Sequence, residues 1–319
     1  MSLTNEQYDS ILKSYKDTRS SNESIIEERL DYVRENVSGY QELEDELMDF
    51  ALAQTRLMLS NKEAAADTES VVQGITARKK ELLVKAGLGE DYLEPIYTCN
   101  KCKDTGYIGQ DKCSCFKRKI SALLYEQSNL GAIFEGANFG LLSYDYYRDE
   151  DLEHFKIAVE DAKSFIRDFD DRYENILFYG GVGVGKSFLS ACIAKELIDT
   201  DHQVVYFSAP GLFDVLSDIM FKRGQAQALG AVKEVIYSAE LLIIDDLGTE
   251  LYNSATATQL FSILNDRHLQ HKATIISTNF DFNQLRERYD DRIFSRLLEM
   301  YSFKKLTGPD IRRLKRTGK

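Results

Sequence analysis

The chain has 319 residues, 43% of them hydrophobic and 29% charged, with three prolines and a formal net charge of −12. This composition belongs to a folded globular chain long enough for two domains. The charge excludes a protein that coats nucleic acid indiscriminately, and no apolar run approaches the roughly 20 residues of a membrane-spanning helix. The opening MSLTNEQYDSILKSYK carries acids and no apolar h-region, so a cytoplasmic location without membrane partners is expected. Charge is segregated: the first 95 residues are acidic, and the closing FKKLTGPDIRRLKRTGK is basic. Such a pattern is compatible with different partners at the two ends or with two solvated surfaces.

From Thr4 to about Leu93 the spacing predicts helices. Leu43, Leu47, Phe50, Gln54 and Leu57 repeat at helical intervals, as do Ile11 and Tyr15, then Ile26, Leu30, Val33 and Val37. Gly39 and the stretch Ser60 to Gly74 are the expected breaks. Half-apolar helices need a partner face, so residues 1–95 read as a small helical bundle or hairpin suited to docking on another protein.

Pro95 closes that region. The next segment, YTCNKCKDTGYIGQDKCSCFKRK (within 96–118), carries Cys99, Cys102, Cys113 and Cys115 within 17 positions. Four thiolates so spaced can surround one Zn²⁺ tetrahedrally, with Gly106 and Gly109 allowing the chain to turn between the pairs. Disulfides are the rival reading, and a reducing compartment disfavours them. The second pair is C-x-C, so this is a variant knuckle. Cys192, on a helix farther along, reads as a packed core residue.

A helical stretch, Lys119 to Leu130, and the aromatic-rich ANFGLLSYDYYRDED make residues 119–150 a linker and the start of the next region. Residues 151–319 then alternate helices with short apolar strands, the signature of an α/β domain with a parallel sheet. Strands are expected at Ile176–Tyr179, Val204–Ser208, Leu241–Asp245, Thr274–Thr278 and Phe303–Leu306.

Between the first strand and its helix, GGVGVGKS fits G-x-x-x-x-G-K-[ST] at Gly180, Gly185, Lys186 and Ser187. Glycines let successive backbone N–H groups turn inward around phosphate oxygens, and the following helix adds its N-terminal partial charge. Residues Gly180, Gly181, Val182, Gly183, Val184, Gly185, Lys186, Ser187 and Phe188 are therefore the candidate ATP phosphate cradle. Lys186 is expected on the β- and γ-phosphates, and Ser187 on Mg²⁺. In AELLIIDDLGTE, four apolar residues place Asp245 at a strand's C-terminal end, where it suits Mg²⁺ directly or through water; Asp246 suits orienting or deprotonating an attacking water. The strand ATIISTNF ends in Asn279, whose amide can hold that water against the γ-phosphate.

The order P-loop, acidic strand, polar-ended strand resembles the AAA+ ATPases, which implies Asn279 as sensor 1. DDRIFSRLLE resembles the box VII motif, which implies Arg296, then Arg292, as an arginine finger reaching a neighbouring subunit. A helix arginine paired to Glu299 or Asp291 is the alternative. Together, LLIIDDLGTE, the STN strand, DRIFSRL and the closing GPDIRRLK resemble the DnaC/DnaI helicase-loader family and its relative IstB, over roughly Phe134 to Lys315; the cysteine string resembles the N-terminal module of DnaI-type loaders. Asp246 stands where AAA+ ATPases usually carry Glu, which implies slow or partner-stimulated ATP hydrolysis. The sequence after Arg313 is short for the helical lid of larger AAA+ proteins, which leaves the sensor 2 residue unassigned, with Arg312 as a weak candidate.

The resemblance implies an ATP-dependent loader that grips a DnaB-type replicative helicase through its N-terminal region and touches single-stranded DNA through the ATPase domain. It also implies self-association on the helicase ring. Phe221, Lys222 and Arg223 suit base stacking and phosphate contact, and Phe139 or Tyr144 suits adenine; core packing is the alternative for the aromatics. An IstB-like transposition helper and a nucleotide-dependent adaptor that barely hydrolyses are the other readings.

Overall fold

The computed structural model describes residues 3–59, 68–127, 136–221 and 226–317. Lys222 and Arg223 therefore lie outside the described residues, as do the end of the expected 119–130 helix and most of the expected break at 60–74. The chain divides into two compact units, Leu12–Ile108 and Met1–Ile11 with Gly109–Lys319.

In the first unit, α1 (Asn5–Asn36) and α2 (Tyr40–Leu59) are separated at Gly39, which adopts φ +85°. Such a left-handed turn is open to glycine at little cost. Helix α3 (Thr68–Lys85) follows, and Gly74 lies inside it rather than in a break; no atom would oppose a side chain there. Val33, Val37, Tyr40 and Leu83 form the buried seam of this unit, with Leu30, Leu82 and Tyr92 packed around them. Glu44 joins the helices by accepting from Arg34 at 2.7 Å and Lys79 at 3.3 Å. On α2, Met48, Leu52 and Leu59 remain exposed.

The second unit holds the expected five-stranded sheet. Strand β1 (Tyr107–Ile108) ends the first unit; after β2 (Asp111–Lys112) and helix α4 (Ser114–Gln127), the elements of the second alternate. They are α5 (Asp149–Arg167), β3 (Ile176–Gly180), α6 (Lys186–Asp199), β4 (Val204–Ser208), α7 (Ala209–Phe221), α8 (Ala226–Ser238) and β5 (Leu241–Leu247). Then follow α9 (Ser254–Leu269), β6 (Ala273–Thr278), α10 (Phe282–Arg288), α11 (Asp291–Met300), β7 (Ser302–Leu306) and α12 (Ile311–Thr317). All pairings are parallel, in the order β4-β5-β6-β3-β7. Helices cover both faces, so the central strands read as unbroken apolar runs without alternation. Edge strand β7 instead carries Lys304, paired with Asp161 on α5 at 2.8 Å, a charge that discourages pairing with a further strand.

Helix α5 begins with three acids that complement its N-terminus, and buries Phe155, Ala158, Val159, Ala162 and Phe165 at helical spacing. Cys192 is fully buried in α6, in the expected core role, and burial pushes its thiol up to about 12. Arg267, also fully buried, donates to the carbonyls of Ile236, Tyr237 and Ala273 and to the Thr274 hydroxyl, tying the end of α8 to β6. Burial lowers its guanidinium to about 10. Among the described residues no helix is long and apolar enough to cross a membrane.

Candidate active site

The loop between β3 and α6 needs three of its glycines for separate reasons. Gly180 has φ +139°, and a side chain there would come within 1.9 Å of the Leu306 carbonyl oxygen on β7. Gly183, at φ +76°, has Asp310 against it; Gly185, at φ +98°, faces the Tyr147 hydroxyl at 2.9 Å and the Phe155 ring at 3.2 Å. Backbone in these regions is open to glycine and strained for other residues. Between them Val182 is exposed while Val184 is buried, and the Tyr147 hydroxyl donates to the Val184 carbonyl at 3.0 Å. Tyr147 stacks on Phe155 at 3.9 Å, fixing the loop to α5.

Lys186, the first residue of α6, is buried. Its ammonium donates to the carbonyls of Gly180 at 2.9 Å and Gly181 at 2.6 Å and to Asn279 Oδ1 at 2.7 Å. The Asn279 amide donates to Asp246 Oδ1 at 3.4 Å, so three predicted residues from three strand ends meet. Burial lowers the Lys186 pKa, opposed by the charges of Asp246 and Asp245.

The two acids lie where β5 gains a residue on β6. Ile244 pairs with Ile276 and Leu247 with Thr278, three steps against two. This bulge, with Asp246 at φ +55°, re-aims consecutive side chains that a regular strand would send to opposite faces. Ser277 on β6 organises both: its hydroxyl donates to Asp245 Oδ1 and accepts the Asp246 N–H at 2.9 Å. Burial first, then the nearby charge of Asp245, raises the Tyr206 phenol's pKa well above its ordinary value. Burial and then Asp245 raise the Asp246 pKa, against the opposing pull of Lys186, Arg312 and the Asn279 bond.

A cavity of about 220 Å³ opens onto this group. One wall is Gly183, Gly185, Lys186, Ser187 and Phe188 of the loop, with Asp246 and Asn279 beyond; Asp245 sits behind Asp246 and does not line it. The other wall is Leu141, Leu142, Ser143, Tyr146 and Tyr147, closed by Ile311, Arg312 and Lys315 of α12. The adenine candidates are thus displaced: neither Phe139 nor Tyr144 lines the cavity. Phe139 packs on the sheet core, and Tyr144 turns its ring edgewise to Phe155. Helix α12 is joined to the loop by the Ile311 N–H donating to the Gly183 carbonyl at 3.1 Å, which brings Arg312 to the site.

The finger candidates are on α11. Arg296 pairs with Glu299 at 2.8 Å, and Arg292 pairs with Asp290 at 3.1 Å and overlies the Phe261 ring. Phe221, at the end of α7, is 76% exposed, so it is not a core residue.

The thiols of Cys99, Cys102, Cys113 and Cys115 lie within 4.8 Å of one another. Four ligands at Zn–S distances of ~2.3 Å need sulfurs roughly 3.8 Å apart, so the set fits a tetrahedral Zn²⁺. Asp104, buried at φ +57°, holds the first pair: its carboxylate accepts the N–H groups of Thr98 at 2.8 Å and Cys99 at 2.7 Å and the Asn22 amide at 3.2 Å. The Gly106 N–H donates to Cys102 Sγ at 3.4 Å, a bond that orients this sulfur within the set. The second pair lies at the start of α4. Lys112 and Lys117 anchor this end on Glu234 of α8 at 2.9 and 3.1 Å, and burial of that carboxylate is outweighed by the two cations, which lower its pKa.

The chain is 30% identical over 227 residues, 65% of its length and 80% of the relative's, to the phage-like element PBSX protein XkdC of Bacillus subtilis (strain 168). It is 29% identical over 176 residues, covering 52% of this chain and 70% of the other, to the putative insertion sequence ATP-binding protein y4pL of Sinorhizobium fredii. It is 24% identical over 157 residues to the replicative helicase loader DnaC of Escherichia coli (strain K12), covering 49% of this chain and 62% of DnaC. Residues 124–301, which carry the glycine loop, both acids, Asn279 and both finger candidates, match the family described as IstB-like ATP binding protein, and the chain belongs to that family.

Proposed function

We propose that the protein hydrolyses ATP and uses the cycle to load a ring-shaped replicative helicase of the DnaB type. The observation that carries the nucleotide part is the convergence of Lys186, Asp246, Asn279 and Arg312 on one cavity beside the glycine loop. The helicase part is supported by the likeness to DnaC, by the exposed Met48, Leu52 and Leu59 among acids on α2, and by the four-cysteine knuckle that follows.

The backbone N–H groups of 180–187 bind phosphate oxygens, and Lys186 exchanges its carbonyl and amide partners for the β- and γ-phosphates. Ser187 would hold Mg²⁺ through its hydroxyl, and Asp245, which does not line the cavity, would act on the ion through water, these being the hard oxygen donors that it takes. Mg²⁺ supplies neutralisation of phosphate charge. Asp246 orients the water and takes its proton, and Asn279 holds that water and the Lys186 ammonium in register. Arg296, released from Glu299, completes the site of a neighbouring copy on the helicase ring. Phe221 offers a stacking face to single-stranded DNA, and the knuckle holds structural Zn²⁺.

A transposition helper is the second reading, favoured by the likeness to the insertion sequence protein y4pL. A weakly hydrolysing adaptor is the third, favoured by the short acid at Asp246. Capture of a bacterial replicative helicase, with and without ATP, separates them. Full-length protein should retain the helicase, and Met48→Asp with Leu52→Asp should release it while leaving ATP hydrolysis intact. Failure to capture helicase under every nucleotide condition would move the assignment to the transposition helper; hydrolysis unmoved by single-stranded DNA would favour the adaptor.

A further inference from the structure

Glu250 is buried, carries a carboxylate, and has no part in the chemistry above. It follows β5 by three residues, in the turn that leaves the acidic strand. Its Oε2 accepts the Gly248 N–H at 2.7 Å and its Oε1 accepts the Tyr289 hydroxyl at 2.7 Å. Its backbone carbonyl accepts Arg288 Nη2, also at 2.7 Å. Tyr289 and Arg288 form the corner between α10 and α11. The same turn is bonded back to the active site, because Thr249 donates its N–H at 3.2 Å and its hydroxyl at 2.8 Å to the Asp246 carbonyl. On the far side, the Asp290 N–H donates to the Tyr252 hydroxyl at 3.3 Å, and the Asp290 carboxylate caps α11 through the Ile293 N–H at 2.9 Å.

We infer that Glu250 is a positioning residue that locks the Asp246 turn to the α10–α11 corner, so that a change at the nucleotide moves the helix bearing Arg292 and Arg296. Three features make the connection stiff. A buried carboxylate with two donors is bound firmly and cannot exchange them for water. Tyr252 and Tyr289 pack edge to face at 5.2 Å, with the Arg288 guanidinium over the Tyr252 ring at 5.3 Å. Gly248, at φ +110°, brings its backbone so close to the Phe280 ring that a side chain would meet it at 2.5 Å, and Phe280 is the residue after Asn279. The ends of β5 and β6 and the start of α11 thus share one packed corner, through which a shift at Asp246 or Asn279 is passed on.

The inference rests on the nucleotide reading and deepens it. Its test is hydrogen–deuterium exchange of the full chain with Mg²⁺ and a non-hydrolysable ATP analogue. In the unsubstituted protein the analogue should slow exchange at residues 180–188 and, by at least fivefold, at 289–300. In Tyr289→Phe, which removes one hydroxyl, and in Glu250→Gln, which keeps shape, the slowing at 180–188 should remain and that at 289–300 should vanish. Turnover in both should fall about tenfold at unchanged KM. Retained slowing at 289–300, or joint loss at both segments, overturns the coupling. No slowing at 180–188 in the unsubstituted chain defeats the nucleotide reading itself, and this inference with it.

Discussion

The Lys186 ammonium lies 2.7 Å from the Asn279 amide oxygen, so the phosphate loop after β3 and the end of β6 are joined by a charged hydrogen bond across the site. The same amide donates toward Asp246, which lets one side chain relay between the cation and the acid. The two residues should therefore fail differently. Lys186→Ala removes the charge proposed to meet phosphate, and ATP affinity should fall by a hundredfold or more. Asn279→Ala leaves that charge in place, so affinity should change only a few-fold while turnover drops about a hundredfold, the scale of losing one organised donor near a transition state. Equilibrium binding of a fluorescent ATP analogue and steady-state hydrolysis separate the two.

As the acid proposed to take the water's proton, Asp246 should set the acid side of the pH profile. Burial and Asp245 raise its pKa, so hydrolysis should decline with acidity at a higher pH than an ordinary aspartate would give. The sign for stability runs the other way. A carboxyl whose folded pKa exceeds its unfolded one binds its proton more tightly when folded, so stability falls as pH rises through the interval between them, and the cost persists above it. Asp246→Asn should thus abolish turnover yet stabilise the fold at neutral pH by on the order of 1 kcal/mol, read as a higher melting temperature, as when a strained active site is relaxed. Asn also tolerates the left-handed backbone at this position. The gain should vanish below the ordinary carboxylate pKa, where both states are protonated; an equal gain at pH 3 and pH 8 would refute the assignment.

The strands and the glycine loop were legible because their signals are local. LLIIDD and TIIST are apolar runs that a doubly covered parallel sheet requires, and the loop's glycines are needed by backbone angles within the loop or by neighbours against it. Arg292 and Arg296 were likewise legible as helix arginines, and the structure places each beside an acid. What eluded the sequence is long-range. Ser277 is an unremarkable serine until the β5 bulge sets both acids against it, 31 and 32 residues away. Glu250 and Tyr289 meet across 39 residues, and no spacing rule marks a buried arginine such as Arg267. Phe139 and Tyr144 drew attention as aromatics, whereas the cavity wall is built from Leu141, Leu142 and Tyr146 around them. Gly74 looked like a break because glycine disfavours helix, by only ~1 kcal/mol, which packing of α3 overrides.

The knuckle gives a prediction independent of nucleotide. Purified protein should contain one Zn²⁺ per chain, and a strong chelator should lower its melting temperature, since binding to a folded set of thiolates is linked to folding. Asp104 fixes the backbone leading into Cys99 by accepting the N–H groups of Thr98 and Cys99. Asp104→Asn should weaken Zn²⁺ affinity by 10- to 100-fold without removing the four-thiolate signature in the Co²⁺-substituted spectrum, as for other groups behind a metal's ligands. Cys113→Ser should alter that signature itself.

Ser277 offers the sharpest separation of fold from chemistry. It is fully buried, and its hydroxyl both donates to Asp245 and accepts the Asp246 N–H. Ser277→Ala leaves a buried N–H without its acceptor and a carboxylate short of a donor, at about 1–3 kcal/mol for each unsatisfied group. Turnover should fall some 10- to 100-fold, because the bulge that aims Asp246 loses its tie to β6, while ATP affinity, carried by Lys186 and the loop, should hold within a few-fold. Ser277→Thr retains the hydroxyl and adds a methyl group to a packed interior, which costs about 1–3 kcal/mol of stability by overpacking. If Ser277 acts by aiming the acids, the threonine variant melts lower but keeps most of its turnover, and the alanine variant loses both. Equal losses of turnover in the two variants would instead assign Ser277 to packing.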